Sequence, residues 1–165
     1  MRTLWTKVHR RWAAAQVVCS PGLLWLFLRV VGFSATVPLL MRMRLPALDR
    51  LLERRIASAA AAGGDGNEPE EIVRCVESAL TLGSPLIRRG CLTRGLTLYY
   101  FLRRAGLDVV LCFGTRWRDQ QKEQLTGHCW LEKGGKPFLE GEGCDRYADP
   151  IYRLPAAESV LVDRG

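Results

Sequence analysis

Apolar residues spaced three and four positions apart predict helices in the first two thirds of this chain. One face of such a helix holds Ile72, Val73, Val76 and Leu80, and Asn67 can cap this helix while Gly83 can end it. The alanine- and glycine-rich stretch before it, from residue 59 to 71, predicts the end of a helix followed by a turn. A helix with one apolar face needs a partner surface, so we expect it to pack against its neighbours.

A second helical segment begins at Cys91 and continues to Ala105, where Gly106 is placed to end it. Its apolar residues at helical spacing are Leu92, Leu96, Tyr99 and Leu102. The pattern predicts that one side of this helix is buried.

Downstream of Gly106 the pattern changes to short apolar runs that predict strands. These runs are DVVLCFG at 108–114, GHCWLEK at 127–133 and KPFLEGE at 136–142, the last two joined by Gly134 and Gly135. A polar connection at 115–126 separates the first run from the second and is a candidate rim for a site. Helices followed by a small antiparallel sheet predict an α+β fold.

Positive charge and apolar residues both concentrate in the N-terminal third. Residues 1–55 contain ten Lys and Arg against two acidic residues, whereas the whole chain has a net charge of +7. The apolar stretch from 13 to 40 is interrupted by Pro21 and Gly22 and carries Arg29. Three interpretations stay open: helices packed on the protein or a partner, an interfacial membrane helix, or a membrane span. We expect a basic and apolar helical region over 1–62 and a catalytic domain over 63–165.

Cysteine usage favours the reducing cytoplasm. The six cysteines have neither the density nor the spacing of a disulfide framework, and no C-x-x-C pair suggests a zinc site. We therefore expect no structural zinc site, because one would have to be assembled from scattered ligands. Nucleic-acid binding is also disfavoured, because the arginines lie beside long apolar runs and not on a polar surface with interleaved aromatic residues.

The combination of Cys91 and His128 suggests nucleophilic chemistry. The chain has two histidines, and His128 lies in a predicted strand 37 positions after Cys91. Amide N–H groups and the dipole at a helix N-terminus favour a thiolate, and an imidazole can take the thiol proton. The alternative is that both residues are structural. Cys129, on the opposite face of the strand from His128, and Cys112 are predicted to be core.

Glu140 is the predicted third catalytic group. A two-residue loop at Gly134 and Gly135 would pair His128 with residue 141, whereas a three-residue loop over 133–135 places Glu140 directly opposite His128. We adopt the three-residue loop. Glu142 and Asp145 are alternatives, and Glu132 would be too far along the strand, at roughly 13 Å.

The N–H group of Cys91 could stabilise a tetrahedral oxyanion. A second donor would come from residues 84–90 or from the polar segment before His128.

Two motifs carry a resemblance to a known family. C-L-x-R-x-L at 91–96, H-x-W-x-E at 128–132 and an acid twelve residues after the histidine resemble the leader peptidase of lasso-peptide biosynthesis. That family has a transglutaminase-like, papain-like fold with a catalytic Cys at a helix N-terminus packed on a small antiparallel sheet. The resemblance implies a triad of Cys91, His128 and Glu140, although the family's acid is usually Asp. The small size resembles the split form, in which a separate protein recognises the leader.

The resemblance implies hydrolysis of a leader peptide from a ribosomally made precursor through a thioester on Cys91. It implies no metal and no organic cofactor. The expected partners are the precursor peptide, a leader-recognition protein and an asparagine-synthetase-like cyclase, with the N-terminal helices as candidates for docking a partner or a membrane surface. Two rival hypotheses remain: acyl transfer to an amine, as in transglutaminases, and a catalytically silent scaffold in a maturation complex.

Overall fold

Four helices and four strands form the part of the chain that the computed structural model describes, which is residues 21–82, 87, 90–117, 125–140 and 150–156. The helices are α1 (Pro21–Leu40), α2 (Leu45–Ala61), α3 (Pro69–Leu82) and α4 (Cys91–Arg104). The strands are β1 (Val110–Trp117), β2 (Leu125–Lys133), β3 (Lys136–Phe138) and β4 (Tyr152–Leu154). The predicted α+β architecture is confirmed.

Helix α4 forms the centre of the molecule. The other three helices and the strands β1 and β2 all contact α4. Every residue from Gly95 to Leu102 is buried, so α4 is covered on all sides and not on one side as its spacing predicted. Close packing requires the small Gly95, because a Cβ there would lie 3.0 Å from Leu111 Cδ1 and 3.2 Å from Cys129 Sγ.

The sheet is antiparallel, with strand order β3-β2-β1-β4. In the β1–β2 ladder His128 lies opposite Gly114, and Cys112 lies opposite Trp130. The short strand β4 pairs with β1 and was not predicted. Three residues are too few to show the alternation by which a strand is recognised in sequence.

The predicted register of the β2–β3 hairpin was wrong. Lys133 pairs with Lys136, so the loop consists of Gly134 and Gly135 alone. Both glycines have positive φ, 59° and 75°, as a type I′ turn requires. This turn matches the twist of the strands and is therefore preferred over a three-residue loop that includes Lys133.

The N-terminal helix α1 has one buried and one exposed face. Leu26, Val30 and Val37 are buried against the core, whereas Trp25 and Leu28 are 64% and 53% exposed. In the described part of the chain α1 is the one helix long and apolar enough to cross a bilayer, a test that core helices and signal sequences also pass. The proposed division of the chain after residue 62 stays a prediction.

Helix α3 begins one residue later than its predicted cap implies. The carbonyl of Glu68 accepts hydrogen bonds from the N–H groups of Glu71 and Ile72, whereas the Asn67 amide donates to the carbonyl of Asp65. Asn67 therefore stabilises the turn before the helix and does not cap it.

Candidate active site

Cys91 is the first residue of α4, as predicted. Gly90 before it is extended (φ −167°, ψ 159°), and the Arg94 N–H donates to the Gly90 carbonyl at 3.1 Å. The N–H groups of the first turn have no acceptor within the helix, and the positive end of the helix dipole lies there. The half-buried thiol of Cys91 is thus in a position that favours its ionised form.

His128 projects from β2 beside a fixed aromatic ring. Its imidazole lies nearly parallel to the Trp130 indole, with 6.3 Å between centroids and 14° between planes. The indole is buried, and its Nε1 donates to Glu132 Oε1 at 3.0 Å. Gly114 lies opposite His128 in β1, and a Cβ on it would be 2.8 Å from the indole. The ring therefore fits in this place because residue 114 has no side chain.

Glu140 reaches His128 from beyond the end of β3. Its Oε2 lies 3.9 Å from His128 Nε2, although the observed register places no β3 residue directly opposite His128. Leu139, with φ 58°, explains this approach because it turns the chain out of the strand. Such a conformation costs a residue with a side chain about 1–3 kcal/mol and is concentrated at functional sites.

Arg94 fixes the turn that carries Glu140. Its Nη2 donates to the Leu139 carbonyl at 2.9 Å, and its Nη1 lies 3.5 Å from Glu140 Oε1. On the other side its Nε donates to Glu77 Oε1 at 2.7 Å. One guanidinium therefore connects α3, the first turn of α4 and the chain beyond β3.

Hydrogen bonding lowers the pKa of the Cys91 thiol to about 5. The largest effect is the hydrogen bond from the Cys129 side chain. A hydrogen bond from the Cys129 N–H also lowers the pKa, and so do the charge of His128 and a hydrogen bond from its side chain. Burial opposes them. The pKa of the buried Cys129 thiol is raised, first by its hydrogen bond to Cys91 and then by desolvation, so Cys129 remains the protonated donor.

Comparison with known proteins identifies the family. A family model described as transglutaminase-like superfamily matches residues 35–152, which is more than half of the chain. The chain belongs to the transglutaminase-like superfamily. No curated protein and no solved structure matches it. Members of this superfamily are usually cysteine-dependent enzymes and include peptidases and acyltransferases.

Within this transglutaminase-like domain, the structure brings together the three residues predicted as a triad. Cys91 and His128 interact through a hydrogen bond and charge, and His128 and Glu140 lie within ion-pair distance. Their catalytic roles stay predictions. The alternatives Glu142 and Asp145 lie outside the described residues, as do most of the segments predicted to supply a second oxyanion donor.

The sequence did not predict the contacts that several residues make in the candidate site. Cys112 and Cys129 are buried as expected, but the contact of Cys129 with Cys91 was missed. Arg94 and Trp130 were noticed only as parts of motifs. The position of Arg94 three residues after Cys91 could have indicated its role, since residues at that spacing share a helix face.

Proposed function

We propose that this transglutaminase-like protein is a cysteine peptidase that removes the leader peptide from a lasso-peptide precursor through a thioester on Cys91. The observation that carries the proposal is the position of the Cys91 thiol at a helix N-terminus beside His128, whose Nε2 lies 3.9 Å from Glu140 Oε2. A nucleophile that contacts a base, which is in turn oriented by an acid, is the arrangement that activates a thiol for covalent acyl chemistry. The narrower substrate is supported by the motifs C-L-x-R-x-L and H-x-W-x-E.

In the first half of the proposed reaction, the Cys91 thiolate attacks the carbonyl carbon of the scissile amide. The N–H of Cys91 in the first turn of α4 is available to the oxyanion. Since Nε2 of His128 is the ring nitrogen directed to Glu140, Nδ1 is the nitrogen available to the thiol and the leaving amine. Transfer of a proton from His128 to that amine breaks the C–N bond and leaves a thioester on Cys91.

In the second half, His128 takes a proton from water, which attacks the thioester. The products are the leader's carboxylate and the regenerated thiolate. Glu140 would orient the imidazole in both steps, and closure of the 3.9 Å separation to hydrogen-bond length on substrate binding would strengthen that role. If an amine replaced water, the same residues would carry out acyl transfer.

We further propose that the protein acts in the cytoplasm with a leader-recognition protein and a cyclase. The face of α1 that exposes Trp25, Leu28 and Leu39 is suited to dock a partner or an anionic membrane surface, and the following helix α2 exposes three arginines, Arg50, Arg54 and Arg55. Deleting residues 1–45 would be an unsuitable test, since it would remove Leu26 and Val30 from the core. Exchange of Trp25 and Leu28 for serine should instead weaken partner-dependent cleavage while leaving the fold intact.

The direct test is processing of a precursor peptide. Wild type and a Cys91→Ala variant are incubated with candidate lasso precursors and the recognition protein encoded with them. The products are identified by mass spectrometry. We expect the wild type to release leader and core, and the variant to release neither. Equal processing by both would refute Cys91 as the nucleophile.

A primary amine added to the same reaction separates hydrolysis from acyl transfer. Free leader carboxylate as the main product supports a peptidase, whereas a leader ending in the added amide supports an acyltransferase. A scaffold would behave differently again, because Cys91→Ala would then keep its function in cells that make the peptide.

A further inference from the structure

A cavity of about 600 Å³ lies between α3 and the end of β3. Val73, Ser78 and Leu82 line it from the helix, and Phe138 and Leu139 line it from the hairpin. Nothing in the proposed reaction so far uses it. Its size is within the range of sites that bind small ligands or substrate side chains.

Two connections join this cavity to Cys91. Leu139 lines the cavity, its carbonyl is held by Arg94, and the next residue is Glu140, 3.9 Å from His128. On the helix side, Glu77 lines the cavity and accepts the Arg94 hydrogen bond. Arg94 itself lies one turn after Cys91 on the same face of α4. Two residues of the cavity wall are therefore bonded to Arg94, whose Nη1 also lies 3.5 Å from Glu140 Oε1.

The chemistry of the walls selects an apolar group. The apolar residues of the lining include Val73 and Leu82 from α3 and Phe138 and Leu139 from the hairpin. Leu82, the last residue of α3, is 59% exposed. The charged residues of the lining, Glu70, Arg74 and Glu77, are of both signs, so they do not select a charged ligand.

We infer that this cavity is the subsite for a bulky apolar side chain, such as Leu or Phe, of the peptide that acylates Cys91. The inference rests on the proposed function and adds a substrate preference to it. The strained backbone of Leu139 is consistent with the assignment, since one residue both lines the subsite and positions Glu140. The Arg94 hydrogen bonds hold the subsite and the acid in a fixed relation.

The test uses affinity labels that alkylate Cys91 without turnover. Acetyl-triglycyl chloromethyl ketone is compared with three analogues that carry Leu at one of the three positions. Ser78→Trp, which fills the cavity, is matched by Ser58→Trp at an exposed position of α2. Iodoacetamide, which needs no subsite, reports whether Cys91 keeps its reactivity, and Val73→Trp serves as a second filling variant if Ser78→Trp does not fold.

We expect one Leu label to inactivate the wild type and Ser58→Trp at least about tenfold faster than the triglycyl label, because burial of a Leu side chain is favourable by that much or more. The filling variant should lose this preference and still react with iodoacetamide. Absence of a Leu preference in the wild type, or its persistence in the filled protein, would overturn the inference alone. A Cys91 that reacts with neither kind of reagent would instead overturn the proposed function, and the inference with it.

Discussion

Cys91 and Cys112 lie on two sides of the same sheet and have opposite electrostatic environments. The pKa of Cys112 is raised to about 12 by burial and then by the charge of Glu132, whereas that of Cys91 is lowered to about 5. Desolvation acts in the same direction on both thiols. The difference comes from their polar neighbours: Cys91 accepts hydrogen bonds from Cys129 and His128, while Cys112 faces a carboxylate.

This contrast shows that burial does not make a thiol reactive or inert by itself. A buried sulfur becomes a nucleophile where donors converge on it and stays a core residue where they do not. Substitutions that remove one donor at a time should therefore move Cys91 towards the behaviour of Cys112.

His128→Gln should have the largest effect on turnover. It removes the base and the positive charge beside Cys91, so we expect turnover of a cleaved peptide to fall by about 10²- to 10⁴-fold. Single-turnover cleavage followed by mass spectrometry measures the loss. A variant that retained wild-type turnover would exclude His128 from the reaction.

Glu140→Gln should have the next largest effect. The substitution keeps the size of the side chain and removes its charge, and we expect misorientation of the imidazole to reduce turnover by about a hundredfold. Glu77→Gln is the matched control, because Glu77 is the other carboxylate bonded to Arg94 and does not contact His128 in the described structure. Equal losses in the two variants would mean that both act only by placing Arg94.

Cys129→Ala should shift the pH at which Cys91 reacts. The substitution removes the Cys129 hydrogen bond, which is the largest effect that lowers the Cys91 pKa, so the pKa of Cys91 should rise. Less Cys91 is then present as thiolate below neutrality, and its alkylation at pH 6 should slow by about three- to tenfold. Cys75→Ala is the control, since Cys75 is equally buried in α3 and its pKa is raised to about 11 without any contribution from Cys91. A similar slowing in both would point to a general loss of packing.

Gly114→Ala should have the smallest effect on reactivity. The added methyl group must displace the Trp130 ring against which His128 lies, and such overpacking costs about 1–3 kcal/mol of unfolding free energy. Gly127→Ala, one residue before His128 and with open space around the new methyl, is the control. Denaturant unfolding of both variants, with iodoacetamide rates, would separate the effect on stability from that on the site.

Local patterns predicted most of the fold and the places in it of two residues of the candidate site. The start of α4 at Cys91 and its end before Gly106 follow from neighbouring residues, and so does the strand that carries His128. The approach of Glu140 could not be predicted in the same way. It depends on Leu139 adopting a conformation that leucine rarely has, stabilised by Arg94, a residue distant in sequence.

The contact between Cys91 and Cys129 was missed for a related reason. Alternation along β2 correctly places Cys129 on the face opposite His128, which suggested that only one of the two could reach Cys91. Helix α4 packs closely on that face at Gly95, and Cys91 at its end interacts with both residues. Such a contact is a property of helix and sheet together and has no signature in either segment alone.

The most direct test of Cys91 as an activated nucleophile is the pH dependence of its alkylation by iodoacetamide, with each modified cysteine identified by peptide mass mapping. We predict that the rate at Cys91 rises with an inflection near pH 5, while Cys112 and Cys75 remain unmodified in the folded protein. An inflection for Cys91 near pH 8.5, the range of an ordinary thiol, would contradict the account.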